Sequence, residues 1–236
     1  MILSGHQPGY LPFIGLFHKI AISDKFIFVD GVQLEKKSWQ TRNRIRIKEG
    51  WIWLSVPILT ASRFSQTVAE TEICNDTPWQ RKHWKALCLH YGKGPYFKAH
   101  APFFEEVYTR KWTSLADLNK TIIRHLLAVL QIETPVYEQS DFAFKGKKTE
   151  LLVEMCQALG ADTYLSNTGS SVYVDETLFA ANGLRHRYQE FAHPVYRQLY
   201  EPFIPFLSAI DLLFNEGERA RKIILGCGPR PPLEGS

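Results

Sequence analysis

The chain has 236 residues and a mass of 27.2 kDa, with 45% hydrophobic and 22% charged residues, enough for one globular domain or one domain with an appended lobe. A net charge of +4 and a pI near 8.8 suit a small anionic ligand and fall short of the one-sided charge of a protein that coats nucleic acid. No window approaches the roughly 18 apolar residues of a membrane span, the N-terminus lacks a secretory leader pattern, and a cytoplasmic protein is the expectation.

Residues 2–5 predict a short strand, and Pro12 opens a helix over 12–22 with Ile14, Phe17 and Ala21 on one face. Phe26-Ile27-Phe28-Val29 is a buried-strand run that ends at Asp30. Strand, helix and strand in close succession make a βαβ unit, whose ligands lie beyond the carboxyl ends of the strands. The loops His6-Gln7-Pro8-Gly9-Tyr10 and Asp30-Gly31-Val32-Gln33 occupy two such ends and are expected to be neighbours.

A hairpin follows over 41–57. With Glu49-Gly50 as its turn, Lys48 pairs with Trp51, Arg46 with Trp53 and Arg44 with Ser55 on a cationic, aromatic face. The apolar face then pairs Ile47 with Ile52, Ile45 with Leu54 and Asn43 with Val56. A helical lobe is predicted over about 78–132, with Trp84, Leu87, Cys88 and Tyr91 on one stripe. Leu115, Leu118, Ile122, Leu126 and Val129 form a second stripe, capped by Ser114. A helix from Thr149 ends at Gly160, a strand spans 162–166 and a loop spans 167–171. Asp175 caps a short helix that ends at Gly183, a strand covers 184–190, and a last helical region follows Ser208. Residues 226–236, rich in proline and glycine, read as a loose tail after a single domain over 1–225. Fold class is thus α/β: a mostly parallel sheet beginning with a βαβ unit, plus an antiparallel hairpin and a helical lobe.

His6 is the leading candidate for acid–base chemistry or for donation to a phosphate, because an unperturbed imidazole titrates near 6.5. Lys36, Lys37 and Arg42, with Asn43 and Arg44, concentrate positive charge just after the second strand end, as an anion clamp would. The same residues interleaved with Trp39, Trp51 and Trp53 suit base stacking, although the weak net charge makes nucleic acid an unlikely partner. For Arg46 and Lys48 a clamp and a solvated hairpin edge are equally open. His193 and Gln198 lie in a proline-flanked loop of the kind that contacts ligands. Asp211 stands in a capping-box spacing with Ser208. Cys74, Cys88, Cys156 and Cys227 form no C-x-x-C pair and read as buried, reduced thiols; no metal site is expected and no cofactor is identified. His83, His90, His100 and His125 read as surface or packing residues. No nucleophile elbow, Walker loop or dinucleotide fingerprint is present.

The runs H-Q-P-x-Y-L-P-x-x-G-x-x-x-K-I, D-x-F-I-F-x-D-x-V-Q, K-K-S-W-x-x-R-N-R-I and W-L-S-V-P together resemble the WbqC-like family. Tyr164-Leu165-Ser166, Tyr173-Val174-Asp175, Phe203 and the segment from Ser208 to Gly217 are similar to its later blocks, so the resemblance spans about 2–225. The chain departs from it at Asn167, where the family pattern has glycine directly after the serine. The resemblance implies a biosynthetic enzyme of surface-polysaccharide (O-antigen) or related pathways, without naming the reaction. The expected function is a transferase of acyl, aminoacyl or nucleotidyl groups that acts on an activated, nucleotide-linked sugar or a similar anionic metabolite. His6, Asp30 and Lys37 are the candidate catalytic residues. Gln7, Tyr10, Gln33, Arg42, Asn43, His193 and Gln198 are the candidate substrate contacts. The alternative is a noncatalytic protein that binds nucleic acid or a partner enzyme through the hairpin face.

Overall fold

The computed structural model describes residues 1–35, 37–61, 65–169 and 174–231, so Lys36, Ser170, Ser171 and Tyr173 lie outside the described residues. In chain order the first elements are β1 (Ile2–His6), α1 (Ile14–Ala21), β2 (Lys25–Phe28), β3 (Arg42–Ile47) and β4 (Gly50–Ser55). The lobe contributes α2 (Trp79–Tyr91), α3 (Phe97–Thr109) and α4 (Leu115–Val129). The chain then returns through β5 (Val136–Glu138), α5 (Thr149–Ala158), β6 (Thr163–Ser166), α6 (Glu176–Ala181) and β7 (Arg185–Tyr188), and closes with α7 (Ala209–Glu216) and α8 (Arg219–Leu225).

Five strands form one parallel sheet in the order β5-β2-β1-β6-β7, and β3 and β4 pair as a separate antiparallel hairpin. A parallel sheet is buried on both faces. Phe26 and Phe28 enter the large core with α1 and the helical lobe, while Ile27 and Leu3 enter a second core with α5 and α6. The strand order reverses beside β1, which has β2 on one side and β6 on the other. Such a reversal is where open α/β sheets admit ligands at their carboxyl ends.

Several local signals hold. Ser114 Oγ accepts from Asp117 N–H at 3.1 Å at the start of α4, and Asp175 Oδ1 accepts from Thr177 N–H at 2.9 Å at the start of α6. Gly160 and Gly183 end their helices with φ of +65° and +68°, a conformation that glycine adopts without strain. Strand β5 is absent from the sequence reading, and helix α3 falls inside the predicted helical lobe over about 78–132. The four cysteines are free, but only Cys156 and Cys227 are buried; Cys88 is exposed, because α2 buries Trp79, His83, Leu87 and Tyr91 instead. The proline- and glycine-rich end is held as far as Arg230, which pairs with Asp24, and Gly228 O receives a bond from His18 at 3.1 Å.

The hairpin turns at Lys48-Glu49, so Arg46 pairs with Trp51, Arg44 with Trp53 and Arg42 with Ser55, two residues from the expected register. A two-residue slip leaves each side chain on its face, so the cationic, aromatic face survives. Arg46, however, is only 1% exposed. Its guanidinium donates to the carbonyls of Ile47, Gly50, Tyr200 and Pro202 at 2.7–3.0 Å, which closes the turn against the loop before α7. It is therefore a structural clamp rather than an anion clamp.

The Arg46 N–H donates to Tyr91 Oη at 2.8 Å, and Tyr91 donates to Asp211 Oδ1 at 2.9 Å. Asp211 Oδ2 also accepts from Tyr196 Oη at 2.9 Å and Gln198 Nε2 at 2.8 Å. The capping box is thus only half formed: Ser208 Oγ accepts from Ile210 N–H at 3.4 Å, while the Asp211 carboxylate turns into the core. Gln198, expected to contact substrate, is occupied by Asp211 and by both backbone groups of Ile204.

Burial pushes the Asp211 carboxyl up to about 6, against the bonds from Tyr196, Tyr91 and Gln198 and the Arg46 charge that pull it down. The folded protein therefore holds a proton that the unfolded chain releases, a contribution that is full below 3.8 and lost as pH rises through about 6. In urea denaturation, wild type is expected to gain on Asp211→Asn as pH falls from about 7 to about 4. A difference that does not change with pH contradicts this.

Candidate functional site

β1 ends at His6, level with Phe28 of β2, and Val29 N–H donates to His6 O at 3.0 Å. The His6 and Asp30 loops are therefore neighbours, as the βαβ pattern requires. His6 Nδ1 lies 2.8 Å from Gln7 O. A carbonyl only accepts, so Nδ1 carries the proton and Nε2 is left as an unprotonated acceptor. Burial lowers the imidazole pKa to about 4, and the charge of Lys19 adds to the effect against the Gln7 bond. Lys19, on α1, is 1% exposed; its Nζ donates to Gly5 O at 2.9 Å, and burial lowers its pKa to about 7. Burial thus lowers both groups: at this strand end the imidazole is unprotonated and the ammonium holds its proton less tightly than it would in water.

The chain leaving β1 runs directly against residues 38–41. Tyr10 N–H donates to Trp39 O at 3.0 Å, and Gln40 Nε2 donates to Gln7 Oε1. Gly9 permits the approach, since a Cβ there would lie 3.3 Å from Trp39 O. Asn119 of α4 fastens both segments, with Nδ2 donating to Pro8 O at 2.9 Å and to Gln40 O at 2.8 Å. Five buried polar atoms at this junction and along the strand leaving it have no hydrogen-bond partner: Ser38 Oγ, Gln40 Oε1, Arg42 Nε, Arg44 Nε and Asn119 Oδ1. Buried polar atoms are satisfied in most native structures, so this concentration is unusual and calls for partners that the described residues do not supply.

Beyond the junction the hairpin presents an exposed face. Trp39, Trp51 and Trp53 are 53%, 40% and 36% exposed, and Trp53 lies 5.5 Å from each of the other two rings. The Arg42 guanidinium sits 4.2 Å over Trp53, and that of Arg44 sits 5.0 Å over Trp51. These are cation–π contacts, and neither arginine meets a carboxylate among the described residues.

Other candidates are placed differently. The Asp30 carboxylate accepts from Lys120 Nζ at 2.6 Å and does not orient His6. Lys120 also pairs with Glu138, which Arg124 reaches at 2.5 Å. Burial pulls the Lys120 ammonium down, but its bonds to Asp30 and Glu138 outweigh this and leave it raised. A cleft of about 330 Å³ opens beside these groups, lined also by Arg110, Trp112, Asp117 and Thr121. Lys37 is exposed with φ +54°, and Gln33 is exposed and bridges to Thr67.

Tyr10 is no wall of an open site. It is fully buried, with Oη bonded to His83 Nδ1 at 2.8 Å and to Tyr108 Oη at 2.6 Å. Asn43 is 2% exposed and holds Leu11: Nδ2 donates to Leu11 O at 2.7 Å, and Oδ1 accepts from Arg44 N–H at 2.7 Å. Leu11 has φ +45°, a strained backbone for a leucine, so this bracket has a structural task. His193 closes its own loop, with Nδ1 donating to Pro194 O at 2.9 Å and Nε2 accepting from Phe206 N–H at 3.0 Å. Lys19, Gln40, Asn119 and Lys120 were not singled out from the sequence. Lys19 carries two signals in the sequence, a lysine in a mostly apolar helix and a place in the run H-Q-P-x-Y-L-P-x-x-G-x-x-x-K-I. Among the described residues no His/Cys/Asp/Glu cluster suits a metal, and no helix is long and apolar enough to cross a membrane.

The pattern of the WbqC-like protein family matches residues 7–223. An uncharacterized protein of Mycobacterium tuberculosis is 34% identical over 223 residues, which cover 94% of this chain and 96% of that relative. No solved structure matches the chain.

Because the Lys19 charge depresses His6, Lys19→Met is expected to move the His6 midpoint upward from about 4 in an NMR titration of the imidazole C–H signals. An unchanged midpoint in a folded variant contradicts the coupling.

Proposed function

The chain belongs to the WbqC-like protein family, and from that premise we propose that it is a biosynthetic transferase. Its substrate is an activated, nucleotide-linked sugar or a similar anionic metabolite, and its setting is surface-polysaccharide or related synthesis. The observation that carries this reading is the junction of the β1 carboxyl end with residues 38–42, where unpartnered buried polar atoms gather beside an unprotonated imidazole nitrogen. Arg42 supplies the anion contact, since its charge meets only an aromatic ring among the described residues. His6 Nε2, which burial leaves unprotonated at neutral pH, takes the proton of the acceptor as general base. Lys37 stands on the rim, where a mobile ammonium can follow a charged group. Asp30, Lys120 and Glu138 fix the neighbouring strand ends rather than react.

A second reading has its own observation. The exposed tryptophans and uncompensated arginines of the hairpin suit binding of nucleic acid or a partner without catalysis. Binding to a nucleic-acid backbone weakens steeply as salt rises.

A thermal-shift screen of nucleotide sugars, nucleoside triphosphates and acyl donors separates the two. A ligand at one hundred times its Kd stabilises the native state by about 2.7 kcal/mol. The expected result is a shift with one such ligand that Arg42→Ala removes, while His6→Ala keeps binding, loses turnover and costs no more than about 1–2 kcal/mol in stability. A shift identical in wild type and Arg42→Ala contradicts the proposal, and salt-sensitive oligonucleotide binding without any small-molecule shift supports the rival.

A further inference from the structure

A second cluster lies on the other neighbour of β1. β6 ends at Ser166, beside the reversal of strand order, and Gln189 N–H donates to Ser166 O at 2.8 Å, which fixes its backbone. Ser166 Oγ lies 2.8 Å from Nε2 of His186 on β7. The other ring nitrogen, Nδ1, lies 3.5 Å from Glu176 Oε1 and is a buried atom with no hydrogen-bond partner. The ring is held by packing against Phe179 at 5.1 Å and edge-on to Tyr188 at 4.6 Å. A carboxylate facing Nδ1 favours the proton on that nitrogen, so Nε2 is the acceptor and Ser166 Oγ–H the donor. A Ser–His bond that only tied two strands together would have no need of a carboxylate 3.5 Å from the second nitrogen, here that of the largely exposed Glu176 side chain.

We propose that Ser166, His186 and Glu176 form a nucleophile, base and orienting-acid relay for acyl transfer. The three stand in the order of roles known from triads on unrelated folds, which are recognised by geometry rather than by chain position. The carboxylate of Glu176 stands 3.5 Å from Nδ1 without a hydrogen bond to it, and catalytic contacts of this kind commonly tighten only when substrate binds. Burial lowers the His186 pKa, against Glu176, which raises it, and with Arg187, which lowers it further.

Ser166 Oγ attacks the carbonyl carbon of an acyl thioester or ester, and its proton passes to His186 Nε2. The bond from that carbon to the leaving group breaks, and the leaving thiol or alcohol departs with the proton from His186. The acyl–serine ester is then attacked by an amine or hydroxyl acceptor, which gives its proton to His186. The bond between the acyl carbon and Ser166 Oγ breaks and the proton returns to Oγ; nothing is oxidised or reduced. The relay goes beyond the transferase reading: it is a separate acyl-transfer site whose base is His186 rather than His6, and it does not rest on the junction of the β1 loop with residues 38–42.

The first test is covalent labelling of the full chain with an alkyl fluorophosphonate, followed by peptide mapping. One phosphonyl group is expected on Ser166, absent in Ser166→Ala and formed at least about 100-fold more slowly in His186→Gln, the lower end of a general base's contribution. The second test needs no bulky probe. In Ser166→Cys, alkylation by iodoacetamide at position 166 is expected to titrate below the ordinary thiol value of about 8.5. Adding His186→Gln is expected to return it to that range, with exposed Cys88 as the internal standard in both proteins. A thiol at 166 that does not react, or reacts alike with and without His186 in proteins of equal melting temperature, overturns the proposal. Neither test uses the ligands of the thermal-shift screen, so the relay and the transferase site can fail separately.

Discussion

The Asn119 carboxamide lies in the interior with no exposed surface, and its two N–H groups reach Pro8 O and Gln40 O. Those carbonyls belong to segments more than thirty residues apart, neither of which is regular structure where it is bonded. Loop carbonyls turned into a core cost about 1–3 kcal/mol each when left unpaired. One side chain from the middle of a long amphipathic helix therefore decides where the β1 loop and the start of the hairpin can sit. The Tyr10 N–H, the Gln7–Gln40 bond and the bare Gly9 Cα then follow from that placement.

Once the two segments are fixed, the electrostatics of the strand end are largely set. His6 loses water on closing and becomes a neutral base, while Lys19 beneath it is deprived of a carboxylate partner among the described residues and loses part of its hold on its proton. Around Asp30 the opposite holds: Lys120 sits between two carboxylates and stays charged. One end of the sheet thus carries a desolvated corner beside a locked ionic one. The relay at Ser166 lies across the strand reversal from both.

The βαβ opening was legible because its signals are local: a short apolar run, a helical stripe and a second apolar run. The hairpin faces were legible for the same reason, and the register was not, because a slip of two leaves the alternation unchanged. Strand β5 has three half-buried residues and takes its place only by pairing with β2, which its own sequence does not announce. Neighbouring loops at strand ends were inferred correctly from topology. The roles of Tyr10, Asn43, Gln198 and Asp211 were not, because their partners lie elsewhere in the fold: His83 and Tyr108, Leu11, Asp211, and Tyr91 and Tyr196. Burial turned polar residues that resembled ligand contacts into internal fasteners.

Amide hydrogen exchange on Asn119→Ala tests most directly whether one carboxamide makes the two segments a single unit. Protection at Tyr10, bonded to Trp39 O, and at Thr41, bonded to Ser38 O, is expected to fall together, while Val29, bonded to His6 O inside the sheet, keeps its protection. Loosening of only one segment, or of neither, would contradict the idea that the site is assembled around Asn119.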